Sequence, residues 1–436
     1  GMAGLKPRYD GLVLGAGIAG MQAALDLAGQ GFEVLLVEKG PSIGGVMVGL
    51  NKVFPTLDCS SCICTPRMAE VAHHERITLL TYTELRLLEN TANGFLANLV
   101  KKPRYVVEQD CIGCSKCELA CNTIVPHEFD YGLGAHAAIY IPHGNAIPQV
   151  AVLDPQYCMF DGACARACPA NCIDFTQQPE QIRVEAGAVI IATGLRLLPM
   201  DVKKEYGGGR YVNVMNPLAM ERIQSSNGPY GHILRPSDGK IPRSVAYVQC
   251  AGSRDKSIGV PYCSRICCMY ALKQGIMIRH HSPETQVTIY HMDIRAFGKG
   301  YEQFYRRALG EGVRVVKAKV ARIFEEENKD LRLRLELIDE GGRVAEIRHD
   351  LVVLSQGVIP GWQPDGAAPV QVDADGFFLI PEMAARPANS SHNGIFVAGA
   401  ATGPKDIPDA IIEAGAAAME AAMYLGHSRV AAGGVR

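Results

Sequence analysis

The most distinctive chemical signal in this sequence is a group of closely spaced cysteines. Its members are Cys250, Cys263, Cys267 and Cys268. Residues 245–250 predict a buried strand ending in a turn, and the residues after 262 predict the start of a helix. Because four thiolates are the usual ligands of a 4Fe–4S cluster, the spacing predicts such a cluster at this strand–turn–helix.

Two further cysteine series lie between residues 105 and 180. The first has the C-x-x-C-x-x-C-x-x-x-C spacing of bacterial ferredoxins, and the second repeats it with Asp161 in place of the second cysteine. In paired motifs of this kind the fourth cysteine of each series ligates the other cluster. The predicted ligands are therefore Cys111, Cys114, Cys117 and Cys168 for one cluster, and Cys121, Cys158, Asp161 and Cys164 for the other.

Asp161 leaves the state of the second cluster open. A carboxylate oxygen is a harder and more labile iron ligand than a thiolate. This cluster is expected to be oxygen-ligated, to lose an iron, or to be absent, and Cys172 is a spare thiol nearby. The sequence thus predicts two or three 4Fe–4S clusters in all.

The role of a fourth cysteine group, Cys59, Cys62 and Cys64, also stays open. A C-x-x-C pair can act as a redox dithiol or contribute metal ligands, and buried inert thiols are the alternative. The chain has 15 cysteines and its N-terminus lacks the pattern of a signal peptide. Clustered thiols in such a chain favour metal ligation and a cytoplasmic location over a disulfide framework.

The N-terminal region contains a dinucleotide-binding fingerprint. Residues 9–14 predict a strand, a G-x-G-x-x-G turn follows, and a helix leads to a second strand that ends in an acidic residue. The glycines permit the tight turn, the approach of the pyrophosphate and close helix packing, while the acid accepts hydrogen bonds from ribose. The predicted cofactor-binding residues are Gly15, Gly17, Ile18, Ala19, Gly20, Glu38 and Lys39, with Gly44 and Gly45 just beyond.

Two later segments complete the predicted FAD site. Residues 187–194 form an apolar strand that closes on an A-T-G turn, and residues 394–399 form another strand ending in glycine. Asp406 is expected to cap the alanine-rich helix that follows, and the N-terminus of that helix favours negative charge. The residues predicted to contact FAD here are Ala192, Thr193, Gly194, Gly399, Ala400, Asp406 and Ile407.

Bulk composition excludes several function classes. The chain has 436 residues, of which 48% are hydrophobic, and it can therefore bury the cores of two or three domains. Its net charge of −2 provides no electrostatic footprint for nucleic acid or for an anionic membrane. No apolar run has the ~18–20 residues needed to span a bilayer.

Several motifs together resemble the A-type subunit of heterodisulfide reductase, over nearly the whole chain. They are CSSC at 59–62, KPRY at 102–105, RPSDG at 235–239, QCAGSRD at 249–255, YCSRICCMY at 262–270 and RAFGKG at 295–300. That family contains FAD and iron–sulfur electron-distributing subunits of methanogens, of the quinone-interacting complex of sulfate reducers and of sulfur oxidisers. The methanogen form carries extra N- and C-terminal domains, so this chain is expected to be a short form.

The resemblance implies an α/β fold: a two-dinucleotide-binding-domain flavoprotein, thioredoxin-reductase-like, with an inserted bacterial-ferredoxin-like α+β domain. The second domain lacks a G-x-G-x-x-G fingerprint, and the four cysteines occupy the position where NAD(P)H would otherwise bind. The expected domains are 1–104 (FAD-binding, first part), 105–180 (inserted ferredoxin-like), 181–199 (return strand), 200–357 (second Rossmann-like) and 358–436 (FAD-binding, C-terminal part).

The resemblance also implies a function in sulfur or energy metabolism. The cluster at Cys250 is expected close to the flavin, and Lys273 is expected near flavin N5 as the catalytic residue. Electrons would pass to partner subunits of a heterodisulfide-reductase-like complex, and the fold suggests a homodimer. The alternatives are a self-sufficient NAD(P)H-dependent disulfide reductase, a subunit whose flavin bifurcates electrons, and a non-enzymatic electron-transfer or scaffold protein.

Overall fold

The computed structural model describes residues 4–433. It divides into two compact units, each built on its own β-sheet. The first unit comprises the described residues up to Val48, Ile63–Leu195 and those from Pro360 onward, and the second comprises Gly49–Cys62 and Arg196–Ile359. The sequence placed residues 49–62 in the first domain, whereas here they cluster with the second unit.

The strands, in chain order, are β1 Arg8–Leu14, β2 Val34–Val37, β3 Ile77–Leu80, β4 Thr83–Thr91, β5 Gly94–Lys101, β6 Ile124–Pro126, β7 Ala135–Ala137, β8 Ile139–Tyr140, β9 Val152–Leu153, β10 Glu180–Ile191, β11 Leu195–Leu197, β12 Val214–Met215, β13 Ser244–Ala251, β14 Gln286–His291, β15 Val313–Glu325, β16 Leu331–Leu337, β17 Arg343–His349, β18 Leu351–Gln356, β19 Val358–Pro360 and β20 Ile395–Val397. The α-helices are α1 Ile18–Gly29, α2 Ser60–His73, α3 Lys116–Ala120, α4 Ala163–Ala167, α5 Pro217–Gln224, α6 Cys267–His281, α7 Tyr301–Gly310 and α8 Ile407–Gly433.

The sheet of the first unit has the order β3-β2-β1-β10-β5-β4, and β20 pairs with the end of β10. Strands β3, β2, β1, β10 and β20 are parallel, whereas β5 runs antiparallel to the first half of β10. Ligands of open α/β sheets bind beyond the carboxyl ends of the parallel strands. The predicted strand–helix–strand of the fingerprint is confirmed as β1, α1 and β2.

The second unit repeats this plan with the order β12-β18-β13-β14-β15-β16-β17. Strands β12 to β15 in this order are parallel, and β16 and β17 form an antiparallel hairpin. Sequence reasoning missed β12 and α5, which lie in a stretch rich in Gly, Pro and Ser. Pairing with β16 extends β15 as far as Glu325.

The stretch between β5 and β10 contains a structural repeat. Helices α3 and α4 have 5 residues each, and each follows a residue in the left-handed conformation, Ser115 with φ 57° and Gly162 with φ 70°. Each helix contains a buried cysteine, Cys117 in α3 and Cys164 in α4. The stretch clusters with the first unit, and a ferredoxin-like inserted domain stays a prediction.

A buried histidine predicts acid sensitivity of the second unit. His349 Nδ1 lies 2.6 Å from Ser244 Oγ and its Nε2 lies 2.8 Å from Tyr290 Oη. Burial, with a contribution from Arg314, lowers the pKa of His349 to about 4. As the pH falls, the unfolded chain therefore takes up this proton at a higher pH than the folded chain does. The stabilisation that neutral His349 provides is complete above pH ~6.5 and is lost as the pH falls toward 4. The expected loss is about 3 kcal/mol, readable from amide hydrogen exchange in β17 and β18.

The matched variants for this prediction are His349→Phe and His73→Gln. Replacement of His349 should lower stability at pH 7, because two hydrogen bonds are lost, and should flatten the change between pH 7 and pH 4.5. Replacement of His73, which is exposed, should leave the acid loss unchanged. An equally steep acid loss in His349→Phe would show that another group is responsible.

Candidate flavin and iron–sulfur sites

The glycine turn after β1 is closely packed at two of its three positions. Gly15 has φ +96°, and a Cβ there would lie 2.2 Å from the carbonyl oxygen of Ala192. A Cβ on Gly20 would lie 1.7 Å from the carbonyl oxygen of Gly15. Gly17, the N-cap of α1, is different because the nearest atom to its Cβ would be Gly45 Cα at 3.8 Å. Gly17 is therefore the least crowded of the three positions, and the N–H groups at a helix N-terminus favour a phosphate group.

A cavity of about 240 Å³ adjoins this turn. It is lined by Leu14, Gly15, Val37, Glu38, Lys39, Thr83, Glu84, Leu85, Arg86, Thr193 and Trp362. Glu38 follows β2, and its carboxylate accepts hydrogen bonds from the backbone N–H groups of Ala16 at 2.9 Å and Gly40 at 2.8 Å. Burial raises the pKa of Glu38. Sequence reasoning missed Trp362, the one tryptophan of the chain, because no motif marks its position.

Two of the other predicted flavin residues, Gly44 and Gly399, pack against the glycine turn and α1. Gly44 donates its N–H to the Ala16 carbonyl at 2.9 Å, and a Cβ on Gly399 would lie 2.7 Å from the Cβ of Ala19. Asp406 caps α8, since its Oδ1 accepts from the N–H of Asp409 at 3.0 Å, as the sequence predicted. Ile407 is the first residue of that helix, Gly194 has φ +70°, and Ala400 lies in a short 3-10 turn.

The cysteine group of the second unit lies where β13 ends and α6 begins. Cys250 has φ 54°, and the pairing of β13 with β18 shifts register between Val248 and Ala251. A non-glycine residue held in the left-handed region at a bulge is a common feature of functional sites. Cys267 and Cys268 are the first two residues of α6, and the sulfur of Cys263 accepts from the N–H of Arg265 at 3.3 Å.

The four thiols of this group are close enough to interact electrostatically with one another. Burial raises the pKa values of Cys250, Cys267 and Cys268, and the neighbouring thiols of the group raise them further. Arg254 interacts with the sulfur of Cys250 and forms an ion pair with Asp293 at 2.5 Å. A bound metal ion deprotonates such thiols, so their raised pKa values apply to the chain without a metal. Among the described residues, no three His, Cys, Asp or Glu side chains stand in a metal-holding arrangement.

The cysteines between β5 and β10 line two separate cavities. One contains Cys111, Cys114, Cys117, Cys168 and Cys172, and the other contains Cys121, Cys158, Asp161 and Cys164. This grouping is the crossed one expected from paired ferredoxin motifs, with Cys172 added to the first set. The sulfur atoms of Cys168 and Cys172 are 3.5 Å apart. The carboxylate of Asp161 accepts from the N–H of Ala163 at 2.9 Å, so it faces the start of α4.

Lys273, the predicted catalytic residue, lies within α6 and is 2% exposed. Its ammonium forms an ion pair with Glu221 of α5 and donates to the carbonyl oxygen of Lys52 at 2.7 Å. Burial raises the pKa of Glu221, against the opposing effect of the Lys273 ammonium. Sequence reasoning missed Glu221, although Asn216 and Pro217 are an N-cap and first-turn signal for its helix.

A sequence model described as pyridine nucleotide-disulphide oxidoreductase matches residues 9–422. The chain belongs to the pyridine nucleotide-disulphide oxidoreductase family. Membership of this flavin oxidoreductase family supports FAD as a cofactor. Among the residues described, no helix has the length and apolarity required to cross a membrane.

Two curated relatives make the resemblance more specific. The chain is 44% identical over 421 residues to the A-type subunit of the H(2):CoB-CoM heterodisulfide,ferredoxin reductase of Methanothermobacter marburgensis, and the match covers 94% of this chain and 63% of that relative. It is 46% identical over 419 residues to the A-type iron-sulfur subunit of the CoB--CoM heterodisulfide reductase of Methanocaldococcus jannaschii, covering 93% and 63%. The resemblance predicted from the motifs is confirmed, and the chain spans less than two thirds of these relatives.

Solved structures bear on the fold alone. Thioredoxin reductase from T. acidophilum superposes with a TM-score of 0.55 at 16% identity, covering 96% of this chain and 99% of that one. Thioredoxin reductase from Lactococcus lactis gives a TM-score of 0.54 at 14% identity, with coverage of 96% and 99%. The predicted α/β, thioredoxin-reductase-like fold is therefore confirmed for this member of the family.

Proposed function

We propose that this chain is an FAD and iron–sulfur electron-transfer subunit of a heterodisulfide-reductase-like oxidoreductase complex. One observation carries the proposal. The second α/β unit has four thiols, and no glycine fingerprint, at the strand–turn–helix where a nicotinamide dinucleotide would bind. The first unit retains the complete fingerprint beside a cavity. The chain is thus equipped to hold a flavin but not a second dinucleotide.

The first unit would hold FAD by its backbone and by one carboxylate. The free N–H groups at the start of α1 would bind the pyrophosphate above Gly17, where a side chain is absent. Glu38 would exchange its present backbone donors for ribose hydroxyl groups, and Thr193 and Trp362 would line the pocket. The N-terminus of α8, capped by Asp406, would stabilise negative charge.

The second unit would present Cys250, Cys263, Cys267 and Cys268 as cluster ligands. Cys250 lies at the register shift near the end of β13 in the left-handed conformation, and Arg254 near its sulfur would favour the reduced state by its positive charge. When bound, FAD supplies one- and two-electron chemistry and the clusters supply one-electron transfer, so the proposed function is electron relay. The ion pair with Glu221 would hold the Lys273 ammonium in place. The approach of this ammonium to flavin N5 stays a prediction.

The stretch between β5 and β10 would carry electrons onward. Its two cysteine-lined cavities match the ligand sets of a two-cluster ferredoxin, with Asp161 as the weaker ligand. Chemistry on a sulfur-bearing substrate such as a disulfide would take place on partner subunits. A homodimer and a cytoplasmic location belong to the same proposal, on grounds of fold analogy and cysteine content.

A second candidate function is a self-sufficient NAD(P)H-dependent disulfide reductase. It is favoured by one observation, the disulfide between Cys59 and Cys62. The absence of a second G-x-G-x-x-G turn counts against it. Anaerobic addition of NADH separates the two candidates, because bleaching of the flavin without partner proteins is expected only for the reductase.

The test of the main proposal is the cofactor content of anaerobically purified protein. Three full clusters correspond to roughly twelve irons per FAD, and an empty Asp161 site to roughly eight. Cys250→Ser should lose one cluster, that is roughly four irons per FAD, together with its EPR signal. If the Asp161 site is empty in the wild-type protein, Asp161→Cys should restore the missing irons.

The matched control for Cys250→Ser is Cys64→Ala. Cys64 is buried, its sulfur lies 3.8 Å from the carbonyl oxygen of Gly44, and it belongs to none of the three predicted ligand sets. Its replacement should leave iron, sulfide and FAD unchanged. Unchanged cluster signals in Cys250→Ser would contradict the proposed cluster of the second unit.

A further inference from the structure

The segment Gly49–Cys62 of the second unit carries a disulfide that the proposed electron relay does not use. It joins Cys59 to Cys62, whereas the other cysteines of the described chain are free. Cys62 is exposed and Cys59 is half-buried, so a reagent can reach the bond from the Cys62 side. Disulfides that are exposed and close a short C-x-x-C loop are typically exchangeable rather than structural.

The surroundings of the disulfide favour release of Cys59 as a thiolate. The backbone N–H of Cys62 donates to Cys59 Sγ at 3.2 Å, and Ser61 Oγ lies 3.5 Å from the same sulfur. Both contacts lie at the start of α2, where the helix dipole also favours negative charge. Cys64, two residues further on, contrasts with this because burial raises the pKa of its thiol to about 12. The Cys59–Cys62 pair thus combines access with thiolate stabilisation.

The disulfide segment is tied to the buried ion pair of the second unit. Cys59 forms an isolated β-bridge with Lys52, and the N–H of Ser60 donates to the carbonyl oxygen of Asn51 at 3.1 Å. The carbonyl oxygen of Lys52 in turn accepts from the ammonium of Lys273 at 2.7 Å. A change in how well ordered this segment is would therefore directly alter the hydrogen bond between Lys52 and Lys273.

We propose that Cys59–Cys62 is a reversible thiol–disulfide exchange site for an external protein dithiol. Its redox state sets how well ordered the segment Gly49–Cys62 is, and this segment contacts Lys273. A thiolate of the partner attacks Cys62 Sγ, the Cys59–Cys62 bond breaks, and its electron pair stays on Cys59. The second partner thiolate then attacks the partner sulfur of the mixed disulfide and releases Cys62. Two electrons pass to this chain, and the partner becomes the disulfide.

The exchange site is independent of the FAD and cluster proposals. Its chemistry needs only the two sulfur atoms, the N–H of Cys62 and a dithiol from outside. Alternatively, Cys59 and Cys62 ligate a metal, in which case alkylating reagents would reach them only after iron is removed. Loss of cofactor would therefore leave the exchange intact, and failure of the exchange would leave the relay proposal standing.

The first experiment is differential alkylation of the full holoprotein, read by peptide mass spectrometry. Dithiothreitol serves as the dithiol probe, without denaturant, and iodoacetamide labels the free thiols. Cys59 and Cys62 should be unlabelled before reduction and labelled after it. Cys64 should stay unlabelled, and FAD and iron content should not change.

Two results of this experiment would overturn the exchange site. Labelling of both cysteines before reduction would show that no disulfide exists in the isolated protein. Labelling that begins only after iron is chelated would identify the pair as metal ligands. Because the exchange is reversible, a Cys59→Ser variant incubated with glutathione disulfide should form a mixed disulfide on Cys62 and release one glutathione, which would support Cys62 as the sulfur that is attacked.

The second experiment tests the coupling to the Lys273 segment by amide hydrogen exchange. Reduction should speed exchange at Ser60 and Val53 by about tenfold, because their acceptors, Asn51 and Asp58, lie in the segment Gly49–Cys62 that carries the disulfide. Cys62→Ser should reproduce the reduced state without any reductant, and Cys64→Ala should reproduce the oxidised one. Equal exchange in oxidised, reduced and Cys62→Ser protein would overturn the coupling.

Discussion

Replacing Gly17 with alanine is expected to weaken FAD binding by roughly 10- to 100-fold while leaving the chain folded. A Cβ at this position would meet no atom of the protein closer than 3.8 Å, so the protein itself accommodates the methyl group. The same methyl group would occupy the space above the N-terminus of α1 that the pyrophosphate requires. Titration of the apoprotein with FAD, followed by flavin fluorescence, measures the change in Kd.

Two other glycines of α1 serve as controls for Gly17→Ala. Gly29→Ala lies at the exposed end of the helix with no atom within 4 Å, so FAD affinity should not change. Gly20→Ala should lose both FAD and stability, because its Cβ would meet the carbonyl oxygen of Gly15 at 1.7 Å. Wild-type FAD affinity in Gly17→Ala would place the pyrophosphate away from the glycine turn.

The strand–turn–helix around the glycine fingerprint could be predicted because its signal is local. Gly15 and Gly20 are dictated by contacts within one strand–turn–helix, so their spacing alone carries the information. The cysteine grouping between β5 and β10 was accessible for a related reason, since a repeated spacing encodes a repeated structure around α3 and α4. In both cases the residues that fix the geometry are close in the chain.

Features that depend on distant residues could not be predicted in the same way. Glu221 gave no signal because its partner, Lys273, lies on a different helix and the pair is formed only by folding. The left-handed conformation of Cys250 was also hidden, since it arises from the register shift between β13 and β18 and no glycine marks it. Long-range pairing likewise extended β15 to Glu325.

The assignment of residues 49–62 to the second unit illustrates the same limit. The segment follows the FAD fingerprint directly in the chain, and the sequence therefore placed it in the first domain. Its contacts are instead with α5 and α6, through Lys52 and Lys273 and through the bond from Arg222 to the carbonyl oxygen of Gly49 at 3.3 Å. Buried polar contacts of this kind have no periodic pattern in the sequence.

Removing one partner of the buried ion pair is expected to destabilise the second unit by about 3–5 kcal/mol. Glu221 and Lys273 are each 2% exposed, so Glu221→Ala would leave the Lys273 ammonium in the core with the carbonyl oxygen of Lys52 as a neutral acceptor. Native-state amide hydrogen exchange in α6 measures the loss as a free energy of opening. This measurement avoids the assumption that two units unfold in a single step.

The double variant Glu221→Gln/Lys273→Met separates the charge effect from packing. It removes both charges and keeps similar volumes, so the free energy of opening in α6 should be closer to the wild-type value than in either single variant. The coupling energy between the two substitutions should exceed ~0.5 kcal/mol. Arg306→Met is the matched surface control, because Arg306 and Glu302 form an exposed pair on α7 and exchange in α6 should not change. Additive losses in the double variant would mean that the two charges do not stabilise one another.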